Sequence, residues 1–166
     1  VESPLCHPAV VLRREALESH LMLFFTGFSR IASEVAGKQI QNLLARERQL
    51  HAMRKMVDQG LAVLQDQAAP IEEIGRLLHE GWRMKRELAE GVSTSAIDEI
   101  YEAARKAGAV GGKLLGAGGG GFMLFFAAPE RQQAIRDALP GLVEVRFRIG
   151  SPGSRVVVYE PNGLGA

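Results

Sequence analysis

Between Gly111 and Gly121 the chain reads GGKLLGAGGGG, seven glycines in eleven positions, and the run abuts the apolar segment FMLFF at 122–126. Glycine loses more backbone freedom on folding than any other residue. A run this dense therefore needs a strong physical reason. One reason is left-handed turns and tight packing of a helix on a sheet, which one or two glycines would satisfy. The other is a concave nest of side-chain-free N–H groups for an anion, or the contact of a second backbone. The density favours the second.

Gly116, Ala117, Gly118, Gly119, Gly120 and Gly121 formally spell G-x-G-x-x-G. A dinucleotide fingerprint needs a strand before the loop and a helix opening out of it. The expected order here is a helix before and a strand after, which excludes that site. A P-loop fails on spelling, because Gly112-Lys113 is followed by Leu114 and the first required glycine falls at Ala107.

At 166 residues the chain has the length of one domain, and a domain of this size buries roughly 70% of its unfolded surface. Twenty Lys and Arg against nineteen Asp and Glu leave a formal charge of +1. No single-sign field is available for nucleic acid or a membrane surface, so neither is expected as a partner. Cys6 is the one cysteine, which excludes an internal disulfide and any Cys-x-x-Cys arrangement and fits a cytoplasmic location. LMLFF at 21–25 and FMLFFAA at 122–128 are far shorter than the roughly 20 residues of a membrane span. The opening VESPLCHPAVVL reads like the interior of a protein, so a fragment of a longer chain is expected.

Residues 21–26 read as a buried strand. From Ile31 to Leu64 apolar residues recur at three and four, the pattern of one long amphipathic helix, bent near Gly37 or Gly60. Pro70 opens a second helix reaching about Ala89 and stopped by Gly91. Ser95 with Asp98 three residues later predicts the N-cap of a third helix ending near Ala107. A strand at 121–127, a short helix opened by Pro129, an alternating strand over LVEVRFRI and a last strand over RVVVYE complete the chain. This order predicts a single α+β domain over 1–166, an antiparallel sheet of about four strands with helices on one face.

GGKLLGAGGGGFMLFF resembles the third conserved motif of the GHMP small-molecule kinases. GVSTSAIDEIYEAARKAGAVGGK is similar to the helix leading into that motif, and LMLFFTGFSRIASEVAGKQ to the start of the family's C-terminal half. FFTGFSR, LLHEGWRMKREL and GGKLLGAGGGGF are similar to the pattern of the D-glycero-D-manno-heptose 7-phosphate kinase branch. The resemblance covers roughly residues 10 to 160. It implies a ferredoxin-like C-terminal domain of an enzyme that transfers the γ-phosphoryl of ATP to a sugar hydroxyl, with Mg2+. The family's nucleotide loop, P-x-x-x-G-L-G-S-S-A-A, belongs to its N-terminal half and does not occur in this sequence. The resemblance therefore implies a partner N-terminal kinase domain, and no kinase activity for this chain alone.

By the same resemblance, Gly116 to Gly121 buttress the nucleotide loop and present N–H groups near the phosphates. Lys113 beside the loop, Arg30 after the first strand, the pair Lys85 and Arg86, and Ser93 are candidate contacts for phosphate or sugar phosphate, since arginine clamps phosphate with two parallel hydrogen bonds. Each also fits a solvated surface group. Thr26 and Gly27 are compatible with a cleft. His7, His20, His51 and His79 show no metal spacing, and no catalytic base or metal ligand is assigned. The competing reading is a stand-alone ferredoxin-like module that binds a small molecule or pairs in trans without catalysis.

Overall fold

The computed structural model describes residues 8–28 and 32–150. Helix α1 (Pro8–His20) runs directly into strand β1 (Leu21–Phe25), and α2 (Ala32–Gln41), α3 (Glu47–Gln65), α4 (Glu72–Arg86) and α5 (Ser95–Lys106) follow. Strands β2 (Gly111–Leu114) and β3 (Phe122–Phe126), helix α6 (Gln132–Ala138) and strand β4 (Val143–Glu144) complete the described part. The sheet is fully antiparallel in the order β2-β3-β1-β4. The α+β class and the antiparallel sheet agree with the sequence.

Alternation and register place Met22 and Phe24 of β1, Leu114 of β2, and Met123 and Phe125 of β3 on one face of the sheet, and all five are buried. Val92, Ile97, Tyr101, Ala104 and Ile135 close the core over that face. The opposite face carries Phe126, buried, Leu23 and Leu124, half-buried, and Phe25 and Phe122, which are exposed.

Helix α4 meets the β2 edge at two glycines. A Cβ on Gly111 would lie 1.9 Å from the Gly75 carbonyl oxygen, and one on Gly75 would lie 2.8 Å from Phe126 and Val110. No side chain fits between these backbones. At the far end of α3 the Arg13 guanidinium donates to the carbonyls of Val63, Asp66 and Ala69, covering carbonyls that a helix C-terminus leaves without partners.

The structure corrects five sequence readings. The helix expected over 31–64 is two helices, parted by a 3-10 turn at Leu44–Arg46 rather than at either glycine. Here the Asn42 amide turns away to donate to the Leu88 carbonyl at 2.9 Å, and Leu44 is 93% exposed, so the apolar stripe loses its core side. The α5 cap is Thr94, whose Oγ1 accepts from the Ile97 N–H, not Ser95. Residues 111–114 form a strand, which the low β propensity of Gly-Gly-Lys-Leu conceals. The glycine loop thus joins two antiparallel strands, and a dinucleotide site fails because no helix opens from it. The alternating segment after Gly141 pairs as strand only at Val143–Glu144, extended by the bond from the Val145 N–H to the Leu23 carbonyl. The strand expected over RVVVYE lies outside the described residues.

Candidate functional site

The loop from Leu115 to Gly121 leaves β2, crosses the end of the sheet and enters β3. Its backbone needs glycine for two separate reasons. Gly116, Gly118, Gly119 and Gly121 have φ values of +74°, +124°, +77° and +105°, which L side chains adopt only with strain. Gly118 and Gly120 also meet other backbones: a Cβ would lie 2.7 Å from Val92 and 2.5 Å from the Phe28 carbonyl oxygen. At Gly116 and Gly121 a Cβ would meet nothing within 4 Å, so the loop is packed at some positions and open at others.

Partners reach the loop from three sides. The Gly119 N–H donates to the Val92 carbonyl in the α4–α5 turn and the Gly121 N–H to the Phe28 carbonyl after β1, each at 3.0 Å. Thr26, buried, donates both its N–H and its Oγ1 to the Gly121 carbonyl at 2.9 Å. Gln39 of α2 donates its Nε2 to the Ala117 carbonyl at 2.6 Å. Lys85, at the last turn of α4, donates Nζ to the carbonyls of Leu114 and Gly116. Three loop carbonyls are thereby held by side chains. Among the described residues, the N–H groups of Gly116, Ala117, Gly118 and Gly120 have no acceptor.

The sequence-predicted residues separate into different settings. Lys85 is on the loop itself. Burial lowers its ammonium pKa to about 8, and the neighbouring Lys113 ammonium pushes the same way. Lys113 is on β2 and lines an apolar groove of about 290 Å³ between α3 and α4, with Met53, Met56, Leu77 and Leu78. Arg86 pairs with Asp98 at 2.8 Å, and the Ser93 hydroxyl donates to the same carboxylate at 2.7 Å. Arg86 also lines a groove of about 490 Å³ with Lys38, Asn42, Arg46 and two glutamates, Glu87 and Glu90. Arg30 lies outside the described residues. A groove of about 670 Å³ between the end of α1 and the 144–148 segment contains none of the predicted residues.

Gln39 escaped the sequence reading. It is 78 positions from the carbonyl it holds, and a glutamine inside an amphipathic helix carries no local signal of such a contact. Among the described residues no group of three His, Cys, Asp or Glu side chains could hold a metal ion.

Comparison with known proteins agrees with this geometry. A family model described as GHMP kinases C terminal matches residues 64–144, from the end of α3 through the glycine loop to β4. A D-glycero-alpha-D-manno-heptose 7-phosphate kinase of Campylobacter jejuni is 32% identical over 124 residues, covering 74% of this chain and 36% of the kinase. A mevalonate kinase of Pyrococcus horikoshii is 36% identical over 112 residues, covering 64% of this chain and 32% of that protein. The chain thus spans about a third of the length of these curated relatives. In structure, the L. major mevalonate kinase bound to R-mevalonate superposes with a TM-score of 0.63 at 22% identity, over 75% of this chain and 40% of that one. That likeness concerns the fold.

Proposed function

The chain carries the C-terminal domain of the GHMP kinases, and from that premise we propose that it is one half of an ATP-dependent kinase whose acceptor is a sugar phosphate, D-glycero-D-manno-heptose 7-phosphate first among them. The acceptor reading rests on the Campylobacter relative and on the motifs FFTGFSR and LLHEGWRMKREL. The other half is a nucleotide-binding domain that supplies the second phosphate loop.

One observation carries the reading: side chains take up loop carbonyls while several loop N–H groups stay available. Side chains of Lys85, Gln39 and Thr26 hold the carbonyls of Gly116, Ala117 and Gly121, while four N–H groups find no acceptor among the described residues. Free N–H groups on a glycine backbone are donors suited to phosphate oxygens. Phosphoryl transfer is mostly positioning and stabilisation of charge spread over those oxygens, which suits N–H donors fixed before the ligand arrives. Magnesium, when bound to the nucleotide, neutralises part of that charge. The described residues supply no ligand cluster for it, so this chain's share is the loop. Arg86, in one groove with Lys38 and Arg46, is the cation placed to meet the acceptor's own phosphate, with Ser93 and Asp98 fixing its direction.

The test is ATP-dependent phosphorylation by this chain joined to, or mixed with, a nucleotide-binding half, with heptose 7-phosphate and mevalonate offered as competing acceptors. Preferred turnover of the heptose supports the reading. Turnover of mevalonate alone moves the chain to the other acceptor class, and sustained phosphorylation by residues 1–166 alone overturns the division of labour. Binding of a small molecule without turnover in any combination returns the non-catalytic module.

A further inference from the structure

We infer that Lys85 is a positioning residue of the glycine loop: its side chain, donating to the carbonyls of Leu114 and Gly116, ties the loop to α4 in the conformation in which the N–H groups of Gly116, Ala117, Gly118 and Gly120 find no acceptor among the described residues. The consequence for phosphate binding rests on the kinase reading above. The tie itself does not.

Three features mark Lys85 out from an ordinary helix-end lysine. A lysine in the last turn of a helix usually reaches its own helix's carbonyls or water, yet this one spans 29 and 31 positions to a loop. The other ties reach the loop at Ala117, Gly119 and Gly121, whereas at Gly116 a Cβ would meet nothing within 4 Å and φ is +74°, so Lys85 is the side chain that holds this end. Finally, Lys85 is held there against an electrostatic penalty, because burial and the Lys113 ammonium both disfavour its charge. Among the described residues no carboxylate forms an ion pair with either lysine. Glu87 and Glu90 nearby line the groove of Arg86 instead.

The pH dependence of the tie has a definite sign. With the loop closed the Lys85 pKa is about 8; with the loop open the side chain returns to water and its ordinary value near 10.5. The closed form binds fewer protons between those values, so closure strengthens as pH rises from about 8 to 10.5, and it weakens as pH falls over the same range and levels off below about 8.

Hydrogen exchange of the Leu115, Gly119 and Gly121 amides reads the closure, because Leu115 bonds across the loop to Phe122 while Gly119 and Gly121 bond out of it to Val92 and Phe28. In Lys85→Met their protection should fall about tenfold or more, the size of a lost charge-assisted bond, while amides of α5 keep theirs. Lys85→Arg should restore protection to within about threefold. Between about pH 7 and 9.5 the wild-type loop should gain protection, and Lys85→Arg, which does not titrate, should stay level. Unchanged protection in Lys85→Met, or no rescue by arginine, overturns the inference. Should Lys85→Met lose α5 protection too, the comparison of wild type with arginine decides, and parallel pH profiles overturn it. The exchange uses neither ATP nor acceptor, so its failure leaves the kinase reading standing, and absence of turnover leaves the tie standing.

Discussion

Gly111 and Gly116 are five positions apart and do different work. At Gly111 a methyl group would sit inside the Gly75 carbonyl, backbone against backbone, with the His79 N–H 2.9 Å away. Neither element can rotate a side chain out of the way, so Gly111→Ala must lift α4 from the sheet. Its expected destabilisation is about 3 kcal/mol, at the upper end of overpacking. At Gly116 space is open and only the left-handed backbone resists, so Gly116→Ala should cost about 1 kcal/mol. Urea midpoints of the two variants check the order, and equal losses would count against packing as the reason for Gly111. The same contrast explains what of the site was legible. The glycines announce an unusual backbone, but sequence could not separate conformational need from contact, because Val92, Phe28 and Gly75 are brought to them only by the fold. Lys85 was singled out for a phosphate, whereas the fold places it on loop carbonyls.

At the scale of elements, α4 and α5 are joined by His79 and Tyr101, whose rings stack at 6.1 Å while Nδ1 and the phenol hydroxyl lie 2.6 Å apart. With histidine neutral, the phenol donates and Nδ1 accepts. Burial lowers the His79 pKa, Arg105 and Arg83 add to this, and Glu80 and Glu102 oppose it. Burial also pushes the Tyr101 phenol up to about 12. For His79 the unfolded chain binds more protons just below pH 6.5, so its contribution is complete above that value and is lost as pH falls through the lower folded pKa. The tyrosine contribution is complete below about pH 10 and is lost as pH climbs toward 12. Denaturation midpoints from pH 5 to 7.5 should therefore fall on the acid side for wild type and fall less for His79→Phe, which retains an aromatic ring. A pH-independent difference between the two would remove His79 as the cause. These helices were legible because α4 and α5 have the strong 3.6-residue stripes that bury Trp82, Ile97, Tyr101 and Ala104. The break at Asn42 and strand β2 were not, since each depends on a remote carbonyl or a neighbouring strand rather than on local pattern.

On the scale of the whole molecule, burial is lopsided across the sheet. One face is closed by α5 and α6, while on the other α4 covers the Gly111–Phe126 end and leaves Phe25 and Phe122, each 39% exposed and tilted together at 5.2 Å. Phe28, 42% exposed, follows them at the end of β1, where its carbonyl receives the Gly121 N–H. Three aromatic rings thus border the loop in which four N–H groups find no acceptor among the described residues. Exposed aromatics clustered beside a polar loop are characteristic of a surface that another body covers, which fits a chain proposed to work against a nucleotide-binding half. Phe25→Ser with Phe122→Ser should lower stability by only about 1 kcal/mol, because both rings are already partly in water and the pair interaction is small. The same double change should raise the Kd for an added nucleotide-binding half by about tenfold or more. An unchanged Kd would assign the rings to ordinary surface and leave the glycine loop without an apolar border that matters. A large loss of stability would instead make them part of the core, contrary to their exposure. With stability kept and association lost, the open sheet face and the loop form one continuous working surface, apolar where it docks and polar where phosphate is held.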